Sequence, residues 1–384
     1  MAPGVGPLAA RKLLMALGSP QAVALATPAA IRAVLPRLDP AKLTQAPEGW
    51  AEQLERSWAW LHPEPTELTE HTSPPRAVLT LADPTYPASL LEAADPPLLL
   101  FAEGDLSLLS APSVAVVGSR NPTAQGADNA RAFSQALSEA GVTVVSGLAR
   151  GVDAAAHEGA LVPCERVASA APAAGGRTVA VLGTGLLHIY PRSNVKLAQR
   201  IARHGLVVSE FLLDTPPLPS NFPKRNRIVA ALSRGTLVVE AAVQSGSLIT
   251  ARLASEMGRE VLAIPGSIHA PQARGCHALI KQGAKLVETA QDVLEELRLE
   301  APASLHPVHA APLAGEDLSG PDAEPGAEAD PVLRALGFDP VSQEALSART
   351  GLGPGELGAR LLELELMGQV ARLPGQLFQR LGRA

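Results

Sequence analysis

The sequence predicts an α/β protein built on a mostly parallel sheet, with a smaller domain on either side of it. Between residues 76 and 299, short runs rich in valine, leucine and isoleucine alternate with segments of helical periodicity. These runs lack polar alternation, which is typical of strands buried on both faces. Hydrophobic residues make up 46% of the chain and aromatic residues only 3%, so the cores must be packed mainly from alanine, valine and leucine.

The first domain is predicted to span residues 1–75 and to consist of short helices at 8–17, 20–26, 28–35 and 41–46. Proline and glycine at positions 3–7 precede the first of them and resemble the hairpin of a helix-hairpin-helix (SAM-like) domain. The first helix of that motif would have to lie before residue 1. The sequence therefore assigns no DNA contact to this segment.

The central domain is predicted to hold six strands separated by helices. In a sheet of this kind, ligands bind beyond the carboxyl ends of the strands, where glycine-rich loops meet helix N-termini. Small and polar residues follow several of the predicted strands, so we expect the functional site at that edge. The strands are expected at 114–117, 142–146, 178–182, 206–209, 236–239 and 260–264, and the helices at 124–140, 154–161, 194–203, 223–231 and 248–257.

Two segments are expected after the sheet. Residues 300–330 are rich in proline, alanine and acidic residues, with six acidic and no basic side chains between 316 and 330. This composition is typical of a disordered linker. Residues 331–384 are predicted to form a winged helix, with helices at 332–336, 343–350 (capped by Ser342) and 355–367 and a two-stranded wing at 369–378.

Charge is distributed unevenly along the chain. The net charge is −6, yet residues 192–234 carry eight basic and two acidic side chains. The chain has two cysteines, too few for a disulfide framework, and it shows neither an apolar membrane span nor a secretion signal. We therefore expect a cytoplasmic protein with no membrane partner.

The strongest functional signal is the run NFPKRNR at 221–227. Three cations beside an aromatic residue at a helix start suit a nucleic-acid single strand, because phosphates need neutralising and bases need a stacking surface. A solvated basic helix start is an equally good interpretation of this run alone. Arg120 after the first strand and the hydroxyls of Ser245 and Ser247 could also bind phosphate. The alternatives are a simple helix-start charge for Arg120 and N-capping by Ser247.

Other chemistries find little support. The dinucleotide pattern GxGxxG is incomplete, no Gly-Lys dipeptide forms a Walker A loop, and no GxSxG elbow occurs. Cys276 and His277 lack the spacing and carboxylates of a metal site. Asp153 and His157 could form an acid–base pair, but a capping aspartate with a structural histidine is favoured. Glu240 could be catalytic in a nucleotide hydrolase, and a buried structural carboxylate is favoured there too.

Read in order, several blocks resemble the bacterial DNA-processing protein A family (DprA, also called Smf). The resemblance covers about residues 77–299, and the flanking helical and winged-helix domains agree with that family's architecture. It implies an extended Rossmann-like domain. The matching blocks include VVGSRNPT at 116–123, SGLARGVD at 146–153, FPKRNRIVAALS at 222–233 and VEAAVQSGSLITA at 239–251.

The resemblance implies a homodimer that binds single-stranded DNA without sequence preference and loads the RecA recombinase during natural transformation. It implies binding rather than catalysis, with no cofactor, metal or catalytic residue. The residues carried over to the DNA site are Gly118, Ser119, Arg120, Phe222, Lys224, Arg225, Asn226, Arg227, Ser245, Gly246 and Ser247.

Two departures from the family pattern carry expectations of their own. Residues 162–175 are longer than the family's usual connection, and we expect a surface loop there. The third helix of the winged helix is acidic, with Glu356, Glu363 and Glu365 against Arg360. Since such a helix repels duplex DNA, we expect this domain to contact another protein or to have a regulatory role.

Two rival functions differ in class. Nucleoside-monophosphate phosphoribohydrolases use a similar sheet, but they carry a PGGxGTxxE run that is missing after Pro265-Gly266-Ser267. A partner-binding scaffold without DNA contact would leave the basic segment at 192–234 unexplained.

Overall fold

The computed structural model describes residues 5–44, 48–63, 74–166, 177–299 and 330–381. The predicted linker falls almost wholly outside these ranges, as do Pro3 and Gly4 of the predicted hairpin and residues 167–175 of the predicted surface loop. Within the described ranges, no helix is both long and apolar enough to span a bilayer.

Five helices precede the sheet. Helices α1 to α4 agree with the predicted ones to within two residues, because prolines mark the starts of the first three and Ser19 and Thr27 cap two of them. The sequence analysis missed α5, which buries Trp60 at its end. The helices are α1 (Pro7–Leu17), α2 (Pro20–Leu25), α3 (Pro28–Val34), α4 (Ala41–Thr44) and α5 (Trp50–Leu61).

The central sheet has nine strands in the order β1-β2-β6-β5-β4-β3-β7-β8-β9. Strands β3 to β9 run parallel to one another, while β1 pairs with β2 and β2 with β6 in antiparallel fashion. The six predicted strands are all present. The strands are β1 (Arg76–Thr80), β2 (Leu99–Gly104), β3 (Ser113–Val117), β4 (Thr143–Ser146), β5 (Thr178–Val181), β6 (Leu206–Ser209), β7 (Gly235–Val238), β8 (Glu260–Ala263) and β9 (Lys285–Leu286).

Helices cover both faces of the sheet, which explains the continuous apolar strands. Helices α7, α8, α9 and α13 pack on one face, and α10, α11 and α12 pack on the other. The predicted α/β fold class is confirmed. The helices are α6 (Ala88–Leu91), α7 (Ala124–Glu139), α8 (Val152–Arg166), α9 (Val195–His204), α10 (Asn221–Leu232), α11 (Ser247–Glu256), α12 (Arg274–Lys281) and α13 (Ala290–Glu296).

One expectation in this region is wrong. Residues 162–166, predicted to begin a surface loop, continue α8, and Cys164 on that extension is buried. Pro163 lies inside the helix. Arg200 of α9 forms a bidentate ion pair with Glu165, with both nitrogen–oxygen distances at 2.8 Å, so the extension is packed against the neighbouring helix.

The C-terminal domain is a winged helix, as predicted. Ser342 caps the second helix by accepting the backbone N–H of Ala345 at 3.2 Å. The domain contacts α7 of the central domain through Arg349, which donates to Asp128 at 3.0 Å and to Gln125 at 3.1 Å. Its elements are α14 (Pro331–Leu336), β10 (Val341–Ser342), α15 (Gln343–Thr350), α16 (Pro354–Leu366), β11 (Val370–Leu373) and β12 (Leu377–Arg380), and its strand order is β10-β12-β11.

The topology fixes where a site can form. Strand β3 lies between β4 and β7. After the carboxyl end of β3 the chain turns to one face of the sheet, and after the carboxyl end of β7 it turns to the other face. In open α/β sheets this switch point is where ligands bind. The loops that follow β3, β4, β5 and β7 therefore share one edge.

Candidate nucleic-acid interface

The three predicted binding segments lie together at the carboxyl edge of the sheet. The backbone N–H of Ser119 donates to the carbonyl of Glu240 at 2.7 Å, which joins the loops after β3 and β7. The side-chain amide of Asn226 donates to the carbonyl of Gly246 at 3.3 Å, which joins α10 to the start of α11. The segments thus form one continuous surface.

An aromatic ring lies at the centre of this surface. Phe222 is half-buried, and the exposed guanidinium of Arg120 lies 6.0 Å from its ring centroid. Gly183, after β5, supports the ring from below, since a Cβ there would come within 2.7 Å of it. The ring of Tyr190 lies 5.5 Å from that of Phe222 at 47°. An arginine and two aromatic rings are therefore adjacent.

Helix α10 begins two residues earlier than predicted, at Asn221, so Pro223 is its third residue. Lys224 is exposed, and among the described residues it has no ion-pair partner. Its ammonium group is therefore free to bind an anion at the helix start, where the helix dipole also favours negative charge.

Arg225, by contrast, lies in the core and not on the binding surface. It is only 4% exposed, and its guanidinium donates to the backbone carbonyls of Gly147 and Val181 at the ends of β4 and β5. Burial lowers the pKa of Arg225 to about 10, although the charge of Asp153 opposes that shift. Because the side chain is buried and one of its terminal nitrogens bonds both carbonyls, we reassign Arg225 from phosphate contact to a structural role in the core.

Asp153 and His157 also have structural roles. The Asp153 carboxylate accepts the backbone N–H groups of Gly147 at 3.2 Å and of Ala149 at 3.3 Å. His157 Nδ1 lies 2.7 Å from the hydroxyl of Thr178. Burial raises the pKa of Asp153 and lowers that of His157 to about 3. The histidine is therefore neutral at physiological pH, and the structural interpretation of this pair is the better one.

Arg227 is not a free cation either. It forms an ion pair with Glu210, and its Nε lies 3.7 Å from a carboxylate oxygen of Asp95. Burial raises the pKa of Glu210, while the charge of Arg227 opposes that rise. We therefore reassign Arg227 from phosphate contact to anchoring α10 on the end of β6.

Glu240 occupies the position where dinucleotide-binding proteins hold a pyrophosphate, at the N-terminus of the helix after the first parallel strand. Its carboxylate accepts the backbone N–H of Thr123 at 2.9 Å and the hydroxyl of Thr123 at 2.6 Å. A Cβ on Gly126 would come within 2.3 Å of it. Burial raises the pKa of Glu240 and the Thr123 hydrogen bonds oppose the rise. This carboxylate therefore holds Thr123, which caps α7 by accepting the backbone N–H of Gly126 at 3.0 Å, and its role is structural.

The serine loop before α11 differs from the prediction in one detail. Ser247 is the first helical residue and not the N-cap, a position that Gly246 holds without a side chain. Ser245 accepts the backbone N–H of Ser247 at 3.3 Å, and the two hydroxyls lie 2.7 Å apart. Ser247 is buried while Ser245 and Gly246 are more accessible, so only the outer part of the loop can reach a ligand.

Two further cations lie at this edge that sequence reasoning did not assign to the site. Arg150, in the loop after β4, and Arg192, in the segment between β5 and α9, are both exposed. Within the described ranges neither forms an ion pair, and the same holds for Arg120 and Lys224. The signal that could have found them is that an arginine occurs in the segment after each of β3, β4 and β5.

Cys276 and His277, at which the sequence argues against a metal site, each lie close to a backbone carbonyl of the protein. The Cys276 thiol is buried beneath β7, with its Sγ 3.6 Å from the carbonyl of Val238, and His277 bonds the carbonyl of Gly266 at 3.0 Å. No cluster of three or more metal-ligating side chains occurs in the part of the chain that the structure describes. The sequence favours a plain loop over a metal site here, but both residues lie on helix α12.

Gly151 holds the loop after β4 against the loop after β3. Its φ of +79° lies in the left-handed region, and a Cβ there would come within 2.4 Å of the carbonyl oxygen of Ser119. We expect Gly151→Ala to lower the free energy of unfolding by at least about 1–2 kcal/mol, measured by chemical denaturation.

Gly246→Ala is the matched control, because it has a φ of −62° and no atom within 4 Å of the added carbon. Its stability should stay within about 0.5 kcal/mol of the parent. Equal stabilities of the two variants would show that the loops do not need this close approach.

Two family models match the chain. The model described as DNA recombination-mediator protein A matches residues 77–298, and that of the DprA winged helix domain matches residues 316–376. The second match begins within the predicted linker, so the boundary at residue 331 stays a prediction.

Relatives of known name match over most of the chain. Protein Smf of Escherichia coli is 44% identical over 78% of this chain and 76% of its own length. DNA processing protein DprA of Streptococcus pneumoniae is 48% identical over 56% of this chain and 73% of its own.

Solved structures of two DNA processing proteins are also similar to this chain. DprA of Streptococcus pneumoniae superposes with a TM-score of 0.63 at 38% identity, over 76% of this chain and 94% of that one. DNA processing protein A of Helicobacter pylori, described for a unique single-stranded DNA binding mode, gives a TM-score of 0.51 at 30% identity over 59% of this chain and 97% of that one. The chain belongs to the DprA/Smf family of DNA recombination-mediator proteins.

Proposed function

We propose that this protein binds single-stranded DNA without sequence preference and acts as a recombination mediator, not as an enzyme. The observation that carries the proposal is the carboxyl edge of the sheet, where cations that have no ion-pair partner among the described residues lie together with partly exposed aromatic rings. Arg120 and Lys224 lie on this surface beside Phe222 and Tyr190. Phosphates would bind the cations while bases stack on the rings.

The same chemistry supports the absence of sequence preference. Aromatic stacking and charge neutralisation are available to every base, whereas sequence readout needs hydrogen-bonding side chains aimed at base edges. Two polar side chains of the interface already have partners within the protein: Asn226 bonds Gly246, and Ser245 contacts Ser247.

The rival proposal of a nucleotide-processing enzyme is less well supported. It needs a carboxylate placed to act on a substrate, but the carboxylate of Glu240 is occupied by the backbone and hydroxyl of Thr123. A ligand phosphate at the N-terminus of α7 would have to displace this negative charge. Family membership in recombination mediators argues in the same direction.

Two protein partners follow from the family resemblance. We propose that the protein is a homodimer and that it loads the RecA recombinase onto single-stranded DNA during natural transformation. Likeness to the DprA/Smf family supports both, as does the matching of the recombination-mediator model over the whole sheet.

We propose a protein-contact or regulatory role for the winged helix. Its third helix, α16, exposes Leu362 and Leu366 to solvent, with Glu363 and Glu365 exposed beside them. The one basic residue of α16, Arg360, is paired with Asp330 and Glu363. An acidic and apolar surface repels duplex phosphates and suits a protein surface better.

The test of the proposed function is fluorescence anisotropy with labelled oligo-dT and with a duplex of equal length, across a salt series. We expect tight binding of the single strand that weakens linearly in log[salt], with a slope of about −0.7 per phosphate contacted, and much weaker binding of the duplex. Oligo-dT and oligo-dA of equal length should bind with affinities that differ little. Absence of single-strand binding at low salt would overturn the proposal, and base release from nucleoside monophosphates would then be assayed.

A further inference from the structure

Tyr190 is the aromatic residue of this edge that the sequence analysis left without a role. Its side chain is 48% exposed, although its ring centroid lies only 5.5 Å from that of Phe222. A ring that served only to support Phe222 would bury most of its surface, and the bare backbone at Gly183 already supports that ring. The exposed half of Tyr190 is therefore available to a ligand.

The segment that carries Tyr190 is held firmly to the neighbouring loop. Asn194 is buried, and its side-chain amide donates to the carbonyls of Leu148 at 3.0 Å and of Ala149 at 3.2 Å. Closer to β5, the backbone N–H of Gly185 donates to the carbonyl of Thr215 at 2.9 Å. These bonds hold the backbone on either side of Tyr190 in place before any ligand arrives, which reduces the ordering cost of binding.

Two arginines lie on the segments next to this ring. Arg192 follows Tyr190 by two residues, and Arg150 lies in the adjoining loop next to Ala149. Both arginines are exposed and lack an ion-pair partner among the described residues. A second aromatic and cationic unit therefore lies beside the first, over the ends of β4 and β5.

We propose that Tyr190 is a second base-stacking residue and that the bound strand continues from Phe222 across the loops after β4 and β5. Arg150 and Arg192 contact the phosphates on this part of the path. The inference rests on the proposed single-strand binding, and it assigns to that site a second stacking position and two phosphate contacts.

The experiment compares short oligo-dT with an abasic oligomer of the same length, which keeps every phosphate and lacks every base. Wild type, Tyr190→Ala and Tyr190→Phe are titrated with both by fluorescence anisotropy. For oligo-dT, Tyr190→Ala should weaken binding by about 5- to 150-fold, the range for loss of one base–aromatic stack, and Tyr190→Phe should bind like wild type. For the abasic oligomer, all three proteins should bind equally.

The outcomes separate the inference from the proposed function. An equal loss on both oligomers in Tyr190→Ala would show a structural role for the ring, and no loss on either would remove Tyr190 from the path. Either result overturns the inference while leaving single-strand binding intact. Failure of wild type to bind oligo-dT overturns both. Arg150→Ala and Arg192→Ala test the phosphate contacts, and each should weaken binding of both oligomers alike and reduce the salt slope by about 0.7.

Discussion

Replacing Arg225 with methionine is expected to lower the free energy of unfolding by about 3–5 kcal/mol, the range for removing one partner of a buried charge pair. The guanidinium donates to the carbonyls of Gly147 and Val181 and lies in the field of Asp153. Methionine has a similar length but no donors, so it leaves both carbonyls without this partner and Asp153 without its neutralising charge. Chemical denaturation followed by circular dichroism measures the loss.

The loss of unfolding free energy in Arg225→Met should depend on pH. Burial raises the pKa of Asp153, and the charge of Arg225 opposes that rise, so the variant should raise the folded-state pKa further. A carboxyl whose pKa is higher in the folded than in the unfolded state costs stability once the pH exceeds the unfolded value. The deficit of Arg225→Met is therefore largest at neutral pH and shrinks as the pH falls and Asp153 becomes protonated. Adding Asp153→Asn should recover part of the loss at neutral pH.

Lys224→Met is the matched control, since it makes the same kind of change at the preceding residue of the same helix. Lys224 is exposed, so its stability should stay within about 0.5 kcal/mol of wild type, while its affinity for oligo-dT should fall. If Arg225→Met were as stable as Lys224→Met and had lost DNA affinity, the assignment of Arg225 to the core would be contradicted.

This contrast between neighbouring cations shows what could and could not be predicted from the sequence. The run FPKRNR indicated a cationic helix start but did not distinguish Lys224 from Arg225. Their difference depends on carbonyls at the ends of β4 and β5, which are distant in sequence. One signal was available: Arg225 precedes Val229 by four residues and Leu232 by seven, and both of these are buried, so helical periodicity places it on the inward face.

The fold was predictable where the pattern was strong. The six central strands were found because each is a continuous apolar run between turn residues, as in a doubly covered parallel sheet. Strands β1 and β2 were missed because they lie among proline-rich turns and pair in antiparallel fashion at the edge. Strand β9 has only two residues, both exposed, and leaves no hydrophobic pattern to detect.

The location of the site was predictable from the sequence, but the roles of its individual residues were not. Glu240 could be recognised as a residue that ends a strand, but its bond to Thr123 joins positions more than a hundred residues apart. Tyr190 has no local sequence pattern that indicates stacking, and its proposed role rests on the proximity of its ring to Phe222. Such roles arise from the meeting of loops at one sheet edge, which only the topology determines.

Removing Arg120 and Lys224 together is expected to weaken oligo-dT binding on the order of 100-fold at low salt. Each is an exposed cation without an ion-pair partner in the described ranges, and a hydrogen bond to a charged group contributes about 1.5 kcal/mol at the lower end of its range. The slope of log affinity against log[salt] should become shallower by about 1.4, because each phosphate contact on a single strand contributes about 0.7. Fluorescence anisotropy of Arg120→Ala/Lys224→Ala across a salt series measures both quantities.

The control removes the same number of charges from the opposite edge of the sheet. Arg203 and Arg234 are exposed and lie just before β6 and β7, at the amino ends of parallel strands, and they belong to the same basic segment. Because the double variant Arg203→Ala/Arg234→Ala has the same net charge as the test variant, a binding effect of overall charge would weaken both proteins equally. A local interface at the carboxyl edge predicts that only the Arg120 and Lys224 variant loses affinity and salt slope. Equal losses of affinity in the two proteins would show that the carboxyl edge is not the DNA site. Binding would then be a property of the basic segment as a whole.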